Sequence, residues 1–289
     1  MTMLHDDVID LTAAPSQPPT EEGPPPPSTS PWRRRAASLG WAMAGVTVVL
    51  GLWHLAALRS PDLPTPAEGL GELWALVGDP FYDNGPNDKG IGLQLAISLQ
   101  RVFTGFALAA LVGVPLGLFI GASRRAWQAV NPLVQVLRPV SPLAWFPILL
   151  TVLRDAGKAA VFVVFITALW PTVVNTAAGV AGVPLDHRNV ARVYRFGRLA
   201  FVRHVLLPDS LPSIVTGLRL SMGIGWMVIV AAEMLSGGAG IGFFVWNSYN
   251  ASDLSAVIAA IVLVGAVGYT LDALFLRLGR RFSTEEVHR

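Results

Sequence analysis

Six long apolar stretches alternate with short polar segments along this chain, at roughly 38–58, 94–120, 136–153, 159–180, 213–235 and 254–277. About 20 apolar residues in a helix cross the hydrocarbon core of a bilayer, and each stretch is close to that length. Lipid offers the backbone no water, so a spanning segment must pair its own amides, and a helix does so. The pattern predicts an all-α membrane protein with about six transmembrane helices. Pro139, Pro142 and Pro147 interrupt the third stretch, and residues 126–136 before it read as a short interfacial helix. Residues 60–90 carry Asp62, Glu68, Glu72, Asp79, Asp83 and Asp88, with a surface helix expected over 66–77 and a turn at Asn84-Gly85-Pro86.

Where the cations sit gives the chain a direction. Of its 21 Lys and Arg, fifteen fall in segments on one side if the N-terminus is inside, four on the other, and Arg101 and Arg219 lie within spans. Short cytoplasmic loops carry the excess of Lys and Arg, so both termini are expected inside. The chain divides into a Pro-rich cytoplasmic tail (1–35), a first span with its external loop (36–93), a transmembrane domain (94–280) and a short tail (281–289). The tail is too polar to bury a core. The apolar stretch after Arg33, Arg34 and Arg35 is longer than a signal-peptide core, so it reads as a span and not as a cleaved leader.

Composition agrees with this class. Hydrophobic residues make up 53% and charged residues 14%, against about one quarter charged in soluble domains. With no Cys, disulfides, thiolate metal sites and Cys nucleophiles are excluded. The five His show no metal-ligand spacing, and a net charge of +2 is no basis for nucleic-acid binding. No catalytic triad, carboxylate pair or ATP-binding sequence is visible, so no catalytic or metal site is assigned.

Between the fourth and fifth spans lies NVARVYRFGRLAFVRHVLLPDSLP, residues 189–212, which holds Arg192, Arg195, Arg198, Arg203 and His204 and no acid before Asp209. Val190, Val193, Tyr194, Phe196, Leu199, Phe201 and Val202 recur at nearly helical spacing, so one helix with an apolar face is expected. Leu207-Pro208 and Leu211-Pro212 are expected to stop it before the next span.

This segment resembles the loop by which permease subunits of bacterial ABC importers hold their ATPase partners, the EAA motif. Asn189, Val190 and Ala191 stand at its Glu-Ala-Ala positions, Arg195 at its Gly, and Val205-Leu206-Leu207-Pro208 at its closing element. The departures are an uncharged Asn189 and an Arg195 that predicts a turn without positive φ. The resemblance continues through residues 138–148, 170–175, 217–226, 231–233 and 240–250, and is to the nitrate, sulfonate and taurine branch, most of all to nitrate/nitrite permeases. It implies a coupling loop over 182–212 in which Asn189, Val190, Ala191, Tyr194, Arg195, Val205, Leu207 and Pro208 meet an ATPase subunit. It also implies a second permease copy, an extracytoplasmic solute-binding protein, a bacterial plasma-membrane location, and ATP used by the partner, not by this chain. Sulfonate, taurine, cyanate or bicarbonate are the alternative solutes. An ion-gradient-driven secondary transporter or channel is the reading from another class.

Non-helical backbone at membrane depth is tolerated where it lines a cavity. Pro139, Ser141 and Pro142 are therefore candidates for the solute path. Charges inside a membrane face a partner or a pathway, which adds Arg101, Arg219 and Glu233. Glu233 and Arg219 are 14 residues apart, about 21 Å along a helix, too far to pair with each other. Gly237-Gly238, Gly240 and Gly242 read as a flexible outer turn, and Asp253 and Asp272 as helix-end residues.

Overall fold

The computed structural model describes residues 31–60, 62–85 and 88–284. Helix α1 (Pro31–Arg59) begins on a proline, whose missing N–H costs nothing in a first turn. Its first turns therefore include residues 31–35, assigned above to the tail. Leu39–Arg59 is apolar enough to cross a membrane.

The remaining helices are α2 (Pro66–Gly78), α3 (Ile91–Ala122), α4 (Arg124–Leu137), α5 (Phe146–Leu153), α6 (Ala156–Ala181), α7 (Leu185–Val193), α8 (Arg198–Phe201), α9 (Leu207–Ser236), α10 (Ile241–Asn250) and α11 (Leu254–Thr284). Capping chemistry sets several starts. Thr65 and Glu68 close a reciprocal capping box on α2, Asp155 accepts from the Lys158 amide at α6, and Asp253 from the Ala256 amide at α11. The expected turn near Asn84 is closed by Asn84 N–H to the Asp88 carbonyl; Pro86 lies outside the described residues.

A stripe of small residues on α3, Gly105, Ala109, Gly113, Gly117 and Gly121, recurs every four positions and lets the α6 backbone come close. A Cβ on Gly117 would stand 2.5 Å from Thr176 Cβ and 2.8 Å from the Val173 carbonyl. Gly105 meets Val161 and Val164, Gly113 meets Thr172, and Gly121 meets Ala177 and Val180. The partners advance in the same sense, so α3 and α6 run parallel. The chain must therefore recross between them, and α4 with α5 carries it back.

That crossing is not the straight span expected at 136–153. It is two helical arms, Arg124–Leu137 and Pro142–Leu153, bent by 85°. Pro139 and Pro142 remove two amide donors at the corner, and Pro142 opens a 3₁₀ turn over Pro142–Trp145. The helix expected at 126–136 is α4 itself.

Helix α9 packs antiparallel on α6, with Gly179 against Ser213 and Gly217 against Asn175. α11 returns antiparallel to α9: Gly279 lies by Val215, Gly268 by Trp226, and Trp226 Nε1 donates to the Val264 carbonyl at 3.0 Å. The segment between α6 and α9 thus lies at the same end as the C-terminus of α11. The Gly237–Gly242 loop lies at the opposite end.

If the α3 stripe sets this packing, Gly117→Val should lower stability by about 2 kcal/mol through overpacking. Gly71→Ala on α2, where a Cβ meets nothing within 4 Å, should change little. Thermal unfolding of the two purified variants compares them; equal midpoints would refute the close-contact account.

Candidate functional site

Helix α7 carries Asp186 in its first turn and Arg192 in its last, each favourable to the helix dipole. Its end is a Schellman closure: Phe196 N–H reaches the Ala191 carbonyl and Arg195 N–H the Arg192 carbonyl. Arg195 occupies the left-handed position at φ 52°. The expectation of a turn without positive φ is thereby corrected. The residue at the Gly position of the motif adopts the backbone that favours glycine, and does so as arginine.

Two further expectations about this segment change. The single helix is two, because the Arg195 turn separates α7 from α8. Pro208 and Pro212 also do not stop the chain before the next span. Residues 198–236 form one continuous helical run of 39 residues, joined by a π turn over Val202–Leu206. There Leu207 N–H reaches back to the Val202 carbonyl. This widened turn directly precedes Pro208 and relieves the clash its ring would make in a regular helix.

The segment has a held face and a free face. Val180, Val183, Ala191, Val205 and Leu206 form a small buried core with Phe201 and Val202 against it. Ala191 is only 4% exposed, so it supports α7 from beneath and does not meet a partner directly; Val205 is likewise buried. His187 Nδ1 lies 2.6 Å from Asp209 on α9, and Arg188 donates to the Val180 carbonyl at the end of α6 at 2.6 Å. The hydrogen bond and then the charge of Asp209 raise the His187 ring above the ordinary imidazole range. Leu185, Val190, Val193, Tyr194 and Leu199 are exposed, Tyr194 at 73%, and Asn189 accepts from Arg192 at 3.2 Å. Leu207 and Pro208 are exposed on the α9 side. The result is an apolar, arginine-edged surface pinned to two spanning helices.

The intramembrane charges are paired, Arg101 with Glu233 at the opposite end and Arg219 with Asp272 in the half of α9 nearer α7. Fully buried Glu233 takes the Arg101 guanidinium on Oε1 at 2.8 Å and the Ser98 hydroxyl on Oε2 at 2.6 Å. The Gly242 amide reaches the same Oε2 at 3.1 Å. Arg101 also donates to the Ala239 carbonyl, Gln94 accepts from Gly240 N–H, and Ser98 accepts from Ile241 N–H. A Cβ on Gly240 would meet the Glu233 carboxylate, and one on Gly242 the Val230 carbonyl. The turn expected to be flexible is therefore a pinned loop whose glycines are required by close approach. Arg219 holds Asp272 through Nε at 2.6 Å and NH2 at 2.8 Å. Asp272 stands inside α11, not at its end as expected.

Pro139 and Ser141 are exposed at the corner of the bent crossing, and Pro142 is half-buried. The structure does not bring them together with Arg101, Glu233 or Arg219 in one cluster. Gly240 and Gly242 were read only as a flexible turn, and Gln94 and Ser98 were missed by sequence reasoning. Their signal was present in Gln94, Ser98 and Arg101, spaced four and three apart on one face of an otherwise apolar helix.

Residues 113–284 match the family described as "Binding-protein-dependent transport system inner membrane component". The chain is 48% identical to the nitrate import permease protein NrtB of Leptolyngbya laminosa, over 83% of this chain and 86% of that relative. It is 41% identical to the bicarbonate transport system permease protein CmpB of Synechococcus elongatus, over 83% and 88%. Among solved structures, the MetNI methionine ABC transporter matches with a TM-score of 0.60 at 16% identity, over 66% of this chain and 95% of that one, a likeness of fold.

Two outcomes follow from this geometry. Glu233→Ala leaves the part-buried Arg101 guanidinium without its counter-charge and the Gly242 amide without its acceptor, and should destabilise the protein by about 3 kcal/mol. Thermal unfolding tests this, and an unchanged midpoint would remove the cluster's structural role. The His187–Asp209 tie has a signed pH dependence. Because the folded-state pKa is raised, the contribution is complete below the unfolded value of about 6.5 and fades as pH rises through the raised value. Hydrogen exchange of α7 should be slower in the wild type than in His187→Gln at about pH 6, with the difference gone near pH 9. A difference independent of pH would contradict the assignment.

Proposed function

Since this chain belongs to the family of binding-protein-dependent transport system inner membrane components, we propose that it is the permease subunit of an ATP-driven importer of a small anion, most specifically nitrate or nitrite. One observation carries the reading of its energy source: the exposed apolar face of α7 and α8, edged by arginines and held from behind by its own small core. A helix presenting such a face buries it in a partner's groove. In this reading the partner is an ATPase subunit, ATP is bound and hydrolysed there, and two copies of this chain form the pathway. An external solute-binding protein delivers the anion at the opposite end. The end bearing α7 is cytoplasmic because Arg124, Arg125, Arg188, Arg192, Arg195, Arg198, Arg203 and Arg277 gather there, and both termini lie inside a bacterial plasma membrane. Nitrate is favoured by the identity to NrtB; bicarbonate is the second solute, favoured by CmpB.

The coupling follows from linkage. ATP binding that draws two ATPase subunits together moves the α7 segments attached to them. His187 and Arg188 pass that displacement to α9 and α6. Such a shift is driven only by contacts that differ between the two states.

Replacing Tyr194 with Asp places an unpaired charge in the docking groove, at a cost of about 3 kcal/mol or more. The variant should insert normally but lose its ATPase on purification and lose ATP-driven nitrate uptake in proteoliposomes, while Tyr194→Phe retains both. Wild-type uptake by the Asp variant would dismiss the docking role. A single Cys at position 198 should react with an impermeant reagent only from the cytoplasmic side; labelling from outside would invert the topology.

A further inference from the structure

Arg101 uses only part of its guanidinium. Among the described residues its hydrogen bonds to Glu233 and the Ala239 carbonyl both leave from NH1, so Nε and NH2 are uncommitted. That edge borders a cavity of about 560 Å³ between α3 and the start of α6, walled by Ile97, Leu153, Val161 and Phe162. Gly157 leaves room beside that edge: a Cβ there would stand 3.6 Å from both Nε and NH2 and 3.3 Å from Asp155 Oδ1. Lys158 lines the same cavity with its side chain 73% exposed, while that of Arg101 is only 20% exposed. Each cation has a carboxylate partner, Glu233 for Arg101 at 2.8 Å and Asp155 for Lys158 at 3.7 Å, so what remains for a ligand is the open Nε–NH2 edge of Arg101 and the exposed Lys158 ammonium beside it.

We propose that this cavity is an oxyanion-binding subsite. Its ligand places two oxygens on the Nε–NH2 edge of Arg101 and is closed over by Lys158. The Nε–NH2 pair is a planar fork matched to two oxygens of a planar anion, and the hydrogen bonds from NH1 to Glu233 and the Ala239 carbonyl hold that fork in a fixed orientation. The apolar wall suits a weakly hydrated, singly charged ion. The assignment of this ion as the transported solute rests on the proposed function above. The same chemistry is offered by the phosphate of an anionic lipid, which the experiment separates.

The test uses the complete permease–ATPase complex in nanodiscs of phosphatidylcholine, titrated with nitrate at constant ionic strength and followed by thermal stabilisation, which reports binding to the folded state. Lys158→Gln removes the closing cation without touching the Arg101–Glu233 pair, and Gly157→Asp puts a tethered carboxylate on the free edge, where it occupies the place of the proposed ligand. Nitrate should stabilise the wild type, and each variant should need about tenfold more, as for loss of one charge-assisted contact. Equal responses in all three proteins would overturn the subsite. So would stabilisation by added phosphatidylglycerol that is confined to the wild type, with nitrate inert, since the ligand would then be lipid. Uptake by the same preparations separates this proposal from the function on which it rests. Wild-type binding without ATP-driven nitrate uptake removes the transport reading and leaves the subsite. Uptake in all three with no differential binding does the reverse.

Discussion

Lipid tails are as apolar as leucine, so helices in a bilayer adhere through close packing and buried polar bonds, without a hydrophobic driving force between them. The tight seat of α6 between α3 and α9 meets that constraint. Glycines every four residues on α3, together with Gly179 and Gly217 toward α9, let three helices approach to distances that any side chain would forbid. Everything at the two ends is hung on this trio. It fixes the parallel course of α3 and α6, and thereby the need for a bent return between them.

Polar ties then set what the trio carries at each end. At one end the fully buried Glu233 carboxylate gathers Arg101, Ser98 and the Gly242 amide into a cluster that holds the Gly237–Gly242 loop. A half-satisfied cluster of this kind would be worse than none, and here both carboxylate oxygens are occupied. At the other end, the ties from His187 and Arg188 are fewer and partly exposed, so α7 is attached but not locked. The rigid end and the yielding end are joined by α9.

Much of this was legible in the sequence. Apolar length located the first, second, fourth and sixth spans to within a few residues, and the amphipathic spacing of residues 189–212 foretold the exposed apolar, arginine-edged face of α7 and α8. What stayed hidden depends on partners distant in sequence. Asp272 looked like a helix-end acid because Arg219, its partner, lies 53 residues away. Arg195 gave no hint of a left-handed backbone because arginine rarely adopts one; the Schellman bonds that impose it join residues only three and five apart. Pro208 suggested a break because the rule for helix interiors does not foresee a π turn just before it that relieves the clash of its ring, and Pro212 is carried inside α9 all the same. The amphipathic spacing counted Ala191 and Tyr194 alike, whereas a small core beneath α7 buries one and leaves the other free.

That π turn has a further consequence. An α-helix advances about 100° per residue, so the extra residue held in the Val202–Leu206 turn is also a rotation. It sets the azimuth of everything before it relative to α9. Removing one residue there would leave composition, charge and apolar content nearly untouched, yet swing α8 and the α7 face by more than a quarter turn, pointing Tyr194 and Val193 away from where a partner would stand. The direction in which that apolar face points is written in a residue count.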